Sequence, residues 1–205
     1  TSLDVSNNTA LTNLYCANNQ ISSLDVSNNT NLTSLHCAYN QISSLDVSTN
    51  TALTNLYCWS NQLTTLDVSN NTALTQLYCR GNQLTSLDVS ANTLLMDFNC
   101  SYNQLTSLDL RNGNNIALDT NFSCLFNSNL YCISVDDPIW STNNWTNIDP
   151  QHYFSNNCYY GCTDPLALNY DTLATIDDSS CCYDCGQIQG FVYEDLDTNA
   201  IYDSI

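Results

Sequence analysis

Lysine is absent from the 205-residue sequence, and Arg80 and Arg111 are its only basic residues apart from two histidines. Twenty residues are acidic, and all of these are Asp except Glu194, so the formal net charge is −18. Nucleic acids and anionic membrane surfaces are bound by clusters of positive charge, which this chain cannot form. No apolar run approaches the length of a membrane span, so we also expect no membrane insertion.

The residues that favour helices are equally scarce, with no Lys, one Glu and one Met. Asn, Thr, Ser and Asp are abundant instead, and these residues favour turns and caps. Because 43% of the residues are hydrophobic, the chain is not a disordered acidic tail. Five Gly and three Pro are too few for a collagen-like or linker polymer. The composition therefore predicts a folded, mainly β protein that is rich in turns.

A 21-residue repeat organises the chain from residue 1 to about residue 135. The motif Leu-Asp-Val begins at residues 3, 24, 45, 66 and 87, and Leu-Asp-Leu begins at residue 108. Between these motifs lies a second one, such as Leu56-Tyr57-Cys58. Strand residues two apart point to the same face, so Leu and Cys are predicted inside the coil and Tyr outside. So short a coil buries its core only against its neighbours and has no room for a convex helix.

One repeat unit, residues 53–63, reads Leu-x-x-Leu-x-Cys-x-x-Asn-x-Leu. This pattern resembles the leucine-rich repeat signature, and its short period is similar to internalin-like bacterial repeats, especially those of secreted Bacteroidota proteins. The resemblance implies a mainly β leucine-rich repeat solenoid of about six short coils over residues 1–135, with few or no convex helices. Residues 140–149 resemble the cap of such proteins, so we expect a C-terminal cap over residues 136–158, in which Trp140 and Trp145 cover the last coil.

Two polar columns accompany the repeat. Asn61 and its equivalents follow the Cys by three residues, where an inward amide can bond backbone groups of adjacent coils. Asp67 and its equivalents repeat the carboxylate of the Leu-Asp-Val motif about 4.8 Å apart, which is unfavourable unless each carboxylate is compensated. Screening salt, bound cations or backbone amides at the turn could do so, and we favour amides at the turn in a saline setting.

The twelve cysteines form two groups. Those of the repeat, Cys16 to Cys124, would stack about 4.8 Å apart, farther than the roughly 3.8 Å between the Cβ atoms of a disulfide. They are therefore predicted to be buried and reduced. The remaining six are predicted to form disulfides: Cys132, Cys158, Cys162, Cys181, Cys182 and Cys185. Pairing them in chain order is one solution, but about 15 pairings are possible and the sequence leaves the connectivity open.

Two further segments follow the cap. Residues 159–185 resemble a Cys-rich module of secreted bacterial proteins, and residues 186–205 resemble the start of an SdrD B-like, immunoglobulin-like domain. Its oxygen ligands Asp195, Asp197, Asn199 and Asp203 are spaced as at the start of an EF-hand loop, which makes calcium the candidate cofactor; against this, Ala200 replaces the Gly that a sharp loop prefers. Thr172 and Ser204 lie in Asp-Ser/Thr-apolar patterns that resemble Bacteroidota O-glycosylation sites. Because the chain begins inside a repeat and stops inside a motif, we expect a fragment or a processed form.

The outward positions of the Cys-containing strands form the candidate ligand-binding face. Its residues are Tyr15, His36, Tyr57, Trp59, Tyr78 and Arg80. Rigid aromatic rings next to amide and hydroxyl groups suit a glycan or a protein partner. Trp59 beside Arg80 is the most ligand-like pair, since an exposed Trp is hard to explain by stability alone. The alternative is that stacked aromatic residues only stabilise neighbouring strands.

Catalysis is not expected, because neither His36 nor His152 has a nucleophile motif near it in the sequence and no Gly-rich phosphate loop is present. The sequence thus predicts a non-enzymatic, secreted or cell-surface adhesion protein that binds a protein or glycan on its strand face. The alternative is a structural building block of an extracellular fibre or matrix, which would self-associate.

Overall fold

The computed structural model describes residues 1–118, 121–174, 176–177 and 180–184. The strands, in chain order, are β1 (Ser2–Asp4), β2 (Asn13–Tyr15), β3 (Ser23–Asp25), β4 (Ser34–His36), β5 (Asn55–Tyr57), β6 (Gln76–Tyr78), β7 (Ser86–Asp88), β8 (Asp97–Asn99), β9 (Ser107–Asp109), β10 (Phe122–Ser123), β11 (Cys132–Ser134), β12 (Tyr153–Ser155), β13 (Tyr160–Gly161) and β14 (Ile176–Asp177). Two short helices, α1 (Asn115–Leu118) and α2 (Pro138–Asn144), complete the list.

The chain divides into two compact units, Thr1–Cys158 and Tyr159–Ile205. The first unit is a mainly β leucine-rich repeat solenoid of about seven turns, one more than the sequence predicts. The additional strand is β12, which lies in the segment predicted to be the cap and pairs in parallel with β11. No helix among the described residues has the length and apolar character needed to cross a membrane.

Each repeat supplies one short parallel strand to the face that we call the strand face. That sheet has the order β10-β8-β6-β5-β4-β2, and its register pairs Leu35 with Leu56 and Leu56 with Leu77. The opposite side of the coils carries the pair β1-β3 and the sheet β12-β11-β9-β7. The solenoid therefore carries strands on both sides, as the short repeat predicts, but the equivalent residues 44–46 and 65–67 of two middle coils lie outside strands.

The inward Leu, Val and Cys side chains of successive coils form one continuous core. The six repeat cysteines from Cys16 to Cys124 are buried and unpaired, which confirms their prediction as reduced thiols. At the C-terminal end, Trp145 is only 3% exposed and its ring centroid lies 4.5 Å from that of Phe122 and 5.5 Å from that of Phe154. Trp140 packs edge-on against Trp145, so both tryptophans cover the last coil as expected.

The asparagine column bonds adjacent coils in the predicted way. Nδ2 of Asn82 donates to the carbonyl oxygens of Cys58 (3.1 Å) and Cys79 (2.9 Å), and its Oδ1 accepts from the Leu63 amide (3.0 Å). A second buried column, Asn29, Asn50, Asn71 and Asn92, lies at the other turn, and there only the Nδ2 groups bond: that of Asn71 donates to the carbonyl oxygens of Val47 and Asn50, both at 2.9 Å. The burial of this column was not evident from the sequence. These amides satisfy backbone groups that the bends would otherwise leave unpaired.

The aspartate column is compensated by backbone amides, as favoured from the sequence. Oδ1 of Asp67 accepts from the Ser69 amide at 2.9 Å, and the same contact recurs from Asp4 to Asp109. Hydrogen bonds from the side chain and the backbone of Ser69 lower the pKa of Asp67. The repeated negative charge therefore has a structural role at each turn.

Two disulfides are present among the described residues, Cys132–Cys158 and Cys162–Cys181. Both belong to the chain-order pairing considered for the sequence. Cys182 is also disulfide-bonded, whereas Cys185 lies outside the described residues. In the second unit, β13 and β14 form a short parallel pair next to the Cys162–Cys181 bond.

Candidate ligand-binding face

The parallel register of the strand face brings its outward residues into one column. Tyr15 pairs with His36, His36 with Tyr57, and Tyr57 with Tyr78. Their side chains point away from the core because the Leu and Cys on either side of them point inward. Four of the six residues predicted for the face therefore lie on adjacent coils.

Trp59 joins this column into an aromatic cluster. Its ring centroid lies 4.8 Å from that of His36, 5.7 Å from that of Tyr57 and 5.9 Å from that of Tyr78. Tyr57 and Tyr78 stack at 5.3 Å. Trp59 is half-buried by these neighbours, so it is less exposed than the sequence suggests. Tyr15 remains 68% exposed at one end of the cluster.

Hydrogen bonds fix the tyrosines along the edge of the cluster. The Tyr57 hydroxyl donates to Oε1 of Gln76, which also accepts from the Asn55 side chain. The Tyr78 hydroxyl donates to the Asp97 carboxylate. Burial, and then this hydrogen bond, raise the pKa of Tyr78 well above its ordinary value, so the phenol stays protonated. The face is thus ordered before any partner binds.

A second column borders the face, and it was not evident from the sequence. Two residues after each repeat Cys, the backbone takes a left-handed conformation with φ between 52° and 67°. We call these positions the turn column: Asn18, Tyr39, Ser60, Gly81, Tyr102 and Phe126. Asn18 and Gly81 were the available signal, because Asn and Gly adopt this conformation most readily. The bulky Tyr39 and Tyr102 give no such indication.

The turn column and the face border an open cavity of about 290 Å³. It is lined by Tyr39, Trp59, Ser60, Tyr78, Arg80 and Asn99. Three of these residues belong to the predicted face, and Asn99 continues its outward column on the coil after Tyr78. Tyr39 and Ser60 are additions from the structure. A concave site with aromatic walls and a few polar groups has the usual composition of a small-ligand pocket.

The two arginines have different surroundings. Arg111 forms a salt bridge with Asp109 at 2.5 Å. The Arg80 guanidinium instead lies 4.7 Å from the ring centroid of Tyr102, and no carboxylate among the described residues is within ion-pair distance of it. Arg80 is exposed and lines the cavity, so it offers its hydrogen-bond donors to an incoming group.

The structure places His152 beside a thiol, which its position in the sequence did not suggest. Nδ1 of His152 lies 3.4 Å from Sγ of Cys124 and accepts from the Asp149 amide at 3.2 Å. Burial lowers the pKa of His152 and raises that of Cys124, so both groups are neutral. A buried neutral pair lacks the thiolate that a nucleophile requires, and we interpret these residues as part of the core.

The modification sites and the calcium ligands predicted for the C-terminal segments stay predictions. Thr172 is exposed in the second unit, so its accessibility fits a modification site. The calcium ligands Asp195, Asp197, Asn199 and Asp203, as well as Ser204, lie outside the described residues. Calcium binding stays a prediction, which a melting temperature unchanged by a chelator would contradict.

Comparison with known proteins identifies the same repeat and the same fold. The family model "Leucine Rich repeats (2 copies)" matches residues 9–50. No curated protein sequence matches the chain. Among solved structures, the functional domain of internalin J from Listeria monocytogenes, which includes a cysteine ladder, is 30% identical with a TM-score of 0.53; the alignment covers 75% of this chain and 41% of that one.

Two further structures share the fold at lower identity. A leucine-rich repeat protein from Leptospira interrogans is 21% identical with a TM-score of 0.53, over 76% of this chain and 46% of that one. The internalin InlF from Listeria monocytogenes is 24% identical with a TM-score of 0.50, over 71% and 44%. The chain thus spans less than half the length of each of these structures. Its first unit is a leucine-rich repeat solenoid similar to those of the internalins.

Proposed function

We propose that the solenoid is a non-catalytic binding module of a secreted or cell-surface adhesion protein, and that a protein or glycan partner lies on the strand face. The observation that carries this proposal is the aromatic cluster around Trp59, which adjoins a cavity that Arg80 also lines. Leucine-rich repeat domains typically bind proteins, and the similarity to internalins supports a role at the cell surface.

The variation among the repeats supports the same surface. Inward positions are nearly identical from coil to coil, since Leu35, Leu56 and Leu77 occupy equivalent places. The position after each Cys changes instead, through Ala17, Ala38, Trp59, Arg80 and Ser101. Ala38 and Ser101 are buried there, whereas Trp59 and Arg80 reach the surface. A purely structural repeat has no need for Trp and Arg at two successive copies of one outward position. Chemical diversity confined to one face is typical of a binding surface.

The test is a double variant in the cluster, Tyr57→Ala with Trp59→Ala. We expect it to lose binding to an array of extracellular proteins and glycans on which the unchanged protein gives a signal. The matched control is Thr64→Ala with Thr65→Ala, at exposed positions outside the cluster, and it should bind normally. Circular dichroism and light scattering would show that all three proteins are folded monomers. A binding profile that is the same for all three would contradict the proposal, and self-association of the unchanged protein would favour the fibre alternative.

A further inference from the structure

The turn column has a gap in its row of aromatic side chains. Tyr39 and Tyr102 are large, whereas Ser60 and Gly81 between them are small. Successive coils are about 4.8 Å apart, so the gap is roughly two coils wide. The cavity of about 290 Å³ lies at this gap, with Trp59 and Tyr78 on its inner side. This volume is near the lower end for ligand pockets, about 300 Å³, which suits one sugar ring.

The charge at the gap is opposite to that of the molecule. The chain carries −18, yet the cavity contains Arg80 without a carboxylate partner among the described residues. The Tyr102 ring supports the guanidinium from one side at 4.7 Å and leaves its planar edge available. A guanidinium edge binds a carboxylate through two parallel hydrogen bonds. Arg80 is the one cationic residue among the described residues that line the cavity, so the cavity accommodates a single carboxylate.

The other lining groups match a pyranose ring. The faces of Trp59 and Tyr78 carry partial negative charge and attract the weakly positive C–H groups of a sugar. Asn99 and Ser60 supply donors and acceptors for hydroxyl groups. An acidic side chain of a peptide would use Arg80 but would leave the aromatic wall and these two polar groups without partners. The lining therefore favours a sugar over a peptide.

We propose that this cavity, which we call the Arg80 pocket, binds one uronic acid residue of an acidic glycan. The ring lies against Trp59, the carboxylate is bound by Arg80, and hydroxyl groups bond to Asn99 and Ser60. This inference rests on the proposed function, because it assigns a glycan class to one part of the strand face. It adds a ligand chemistry, a carboxylate-bearing pyranose, and a pocket of defined residues.

The experiment compares two trisaccharides of equal length, trigalacturonic acid and neutral galactotriose, by ligand-observed NMR titration. We expect the acidic sugar to bind about tenfold or more tightly than the neutral one, and Arg80→Gln to remove that preference. Ser60→Tyr should abolish binding by filling the gap with a residue that the same column already carries at Tyr39. Asn18→Tyr places the same side chain in the first coil and should leave binding unchanged, and urea midpoints check that each variant is folded.

Three binding results would overturn the inference, and so would a complete absence of trisaccharide binding. The three are equal binding of the two sugars, binding of trigalacturonic acid that is unaffected by Arg80→Gln and Ser60→Tyr, and tighter binding of an acidic peptide such as tri-glutamate. The broader proposal fails separately, because it depends on whether Tyr57→Ala with Trp59→Ala removes binding on the array of proteins and glycans.

Discussion

Asn82 provides the sharpest test of how the coils are held together. Its side chain is 8% exposed, and Asn82→Ala removes an acceptor from the Leu63 amide and a donor from two carbonyl oxygens. The carbonyl of Cys58 keeps a bond from Asn61, and that of Cys79 keeps one from Asn103. The amide of Leu63 has no substitute, so one buried N–H is left unpaired.

The expected loss of stability follows from the contacts that Asn82→Ala removes. An unpaired buried donor costs about 1–3 kcal/mol, and each weakened carbonyl adds part of the roughly 1 kcal/mol of an ordinary hydrogen bond. We therefore expect Asn82→Ala to lower the free energy of unfolding by about 3 kcal/mol. The adjacent Gln83 is exposed, so Gln83→Ala is the matched control and should change stability by less than about 0.5 kcal/mol.

Urea unfolding of both variants, followed by circular dichroism, measures these free energies. The transition must first be shown to be two-state, because long repeat arrays can lose cooperativity. A loss below about 1 kcal/mol for Asn82→Ala, within the range of an exposed substitution, would refute the reasoning. It would mean that water or a shift of the coil satisfies the Leu63 amide without cost.

Three other perturbations test the core, the C-terminal end of the solenoid and the thiols. Trp145→Ala should cost about 3–5 kcal/mol, and a drop in melting temperature no larger than that of Trp140→Ala would contradict this. Replacing Cys132 and Cys158 by Ser removes a bond of sequence separation 26 and should cost about 3.5 kcal/mol in urea, whereas an unchanged midpoint would show that the bond contributes nothing. Burial raises the pKa of the Cys58 thiol above its ordinary value of 9.0, so the thiol ionises at a lower pH in the unfolded chain than in the folded one. The stability that comes from keeping this thiol protonated in the core is therefore fully present below pH 9. It is lost as pH rises above 9, by up to about 1.4 kcal/mol per pH unit. Guanidinium midpoints at pH 8 and pH 10 measure it, with Cys58→Ala as the control that should show a smaller loss.

The regular part of this fold could be predicted from the sequence because each environment is repeated along the chain. Six copies of the Leu-Asp motif fix the inward and outward positions independently of any single residue. The reduced thiols, the bonds of Asn82 and the turn amide at Asp67 all follow from residue chemistry and the spacing of parallel strands. Structural features that occur only once in the chain were harder to predict from the sequence. The strand β12 and the contact of His152 with Cys124 depend on how the chain returns after the last repeat, which no period encodes.

The candidate site was only half predictable for a related reason. The strand face follows from alternation, so Tyr57, Tyr78 and Trp59 could be placed on it. The left-handed backbone at Tyr39 and Tyr102 could not be predicted, because tyrosine does not favour a positive φ. Hydrogen bonds between successive coils offset the cost of this conformation. The backbone amide of Tyr39 donates to the carbonyl oxygen of Trp59 in the next coil at 3.0 Å, and the amide of Tyr102 donates to the carbonyl oxygen of Leu125 at 2.8 Å. The repeat thus imposes a conformation that local preference opposes.

These backbone hydrogen bonds explain how a binding site can form in a molecule built from nearly identical repeats. The backbone of each turn is held by the side-chain amides of the Asn column and by the carboxylates of the Asp column, which accept from backbone amides. Outward side chains can therefore change from Ala to Trp or Arg without loss of the fold, and turn-column residues can change from Tyr to Ser or Gly. The Arg80 pocket arises where both changes coincide, with Trp59 and Arg80 beside the small residues Ser60 and Gly81. Its location is set by departures from the repeat, so a search for further sites in such solenoids should begin where outward and turn columns change together.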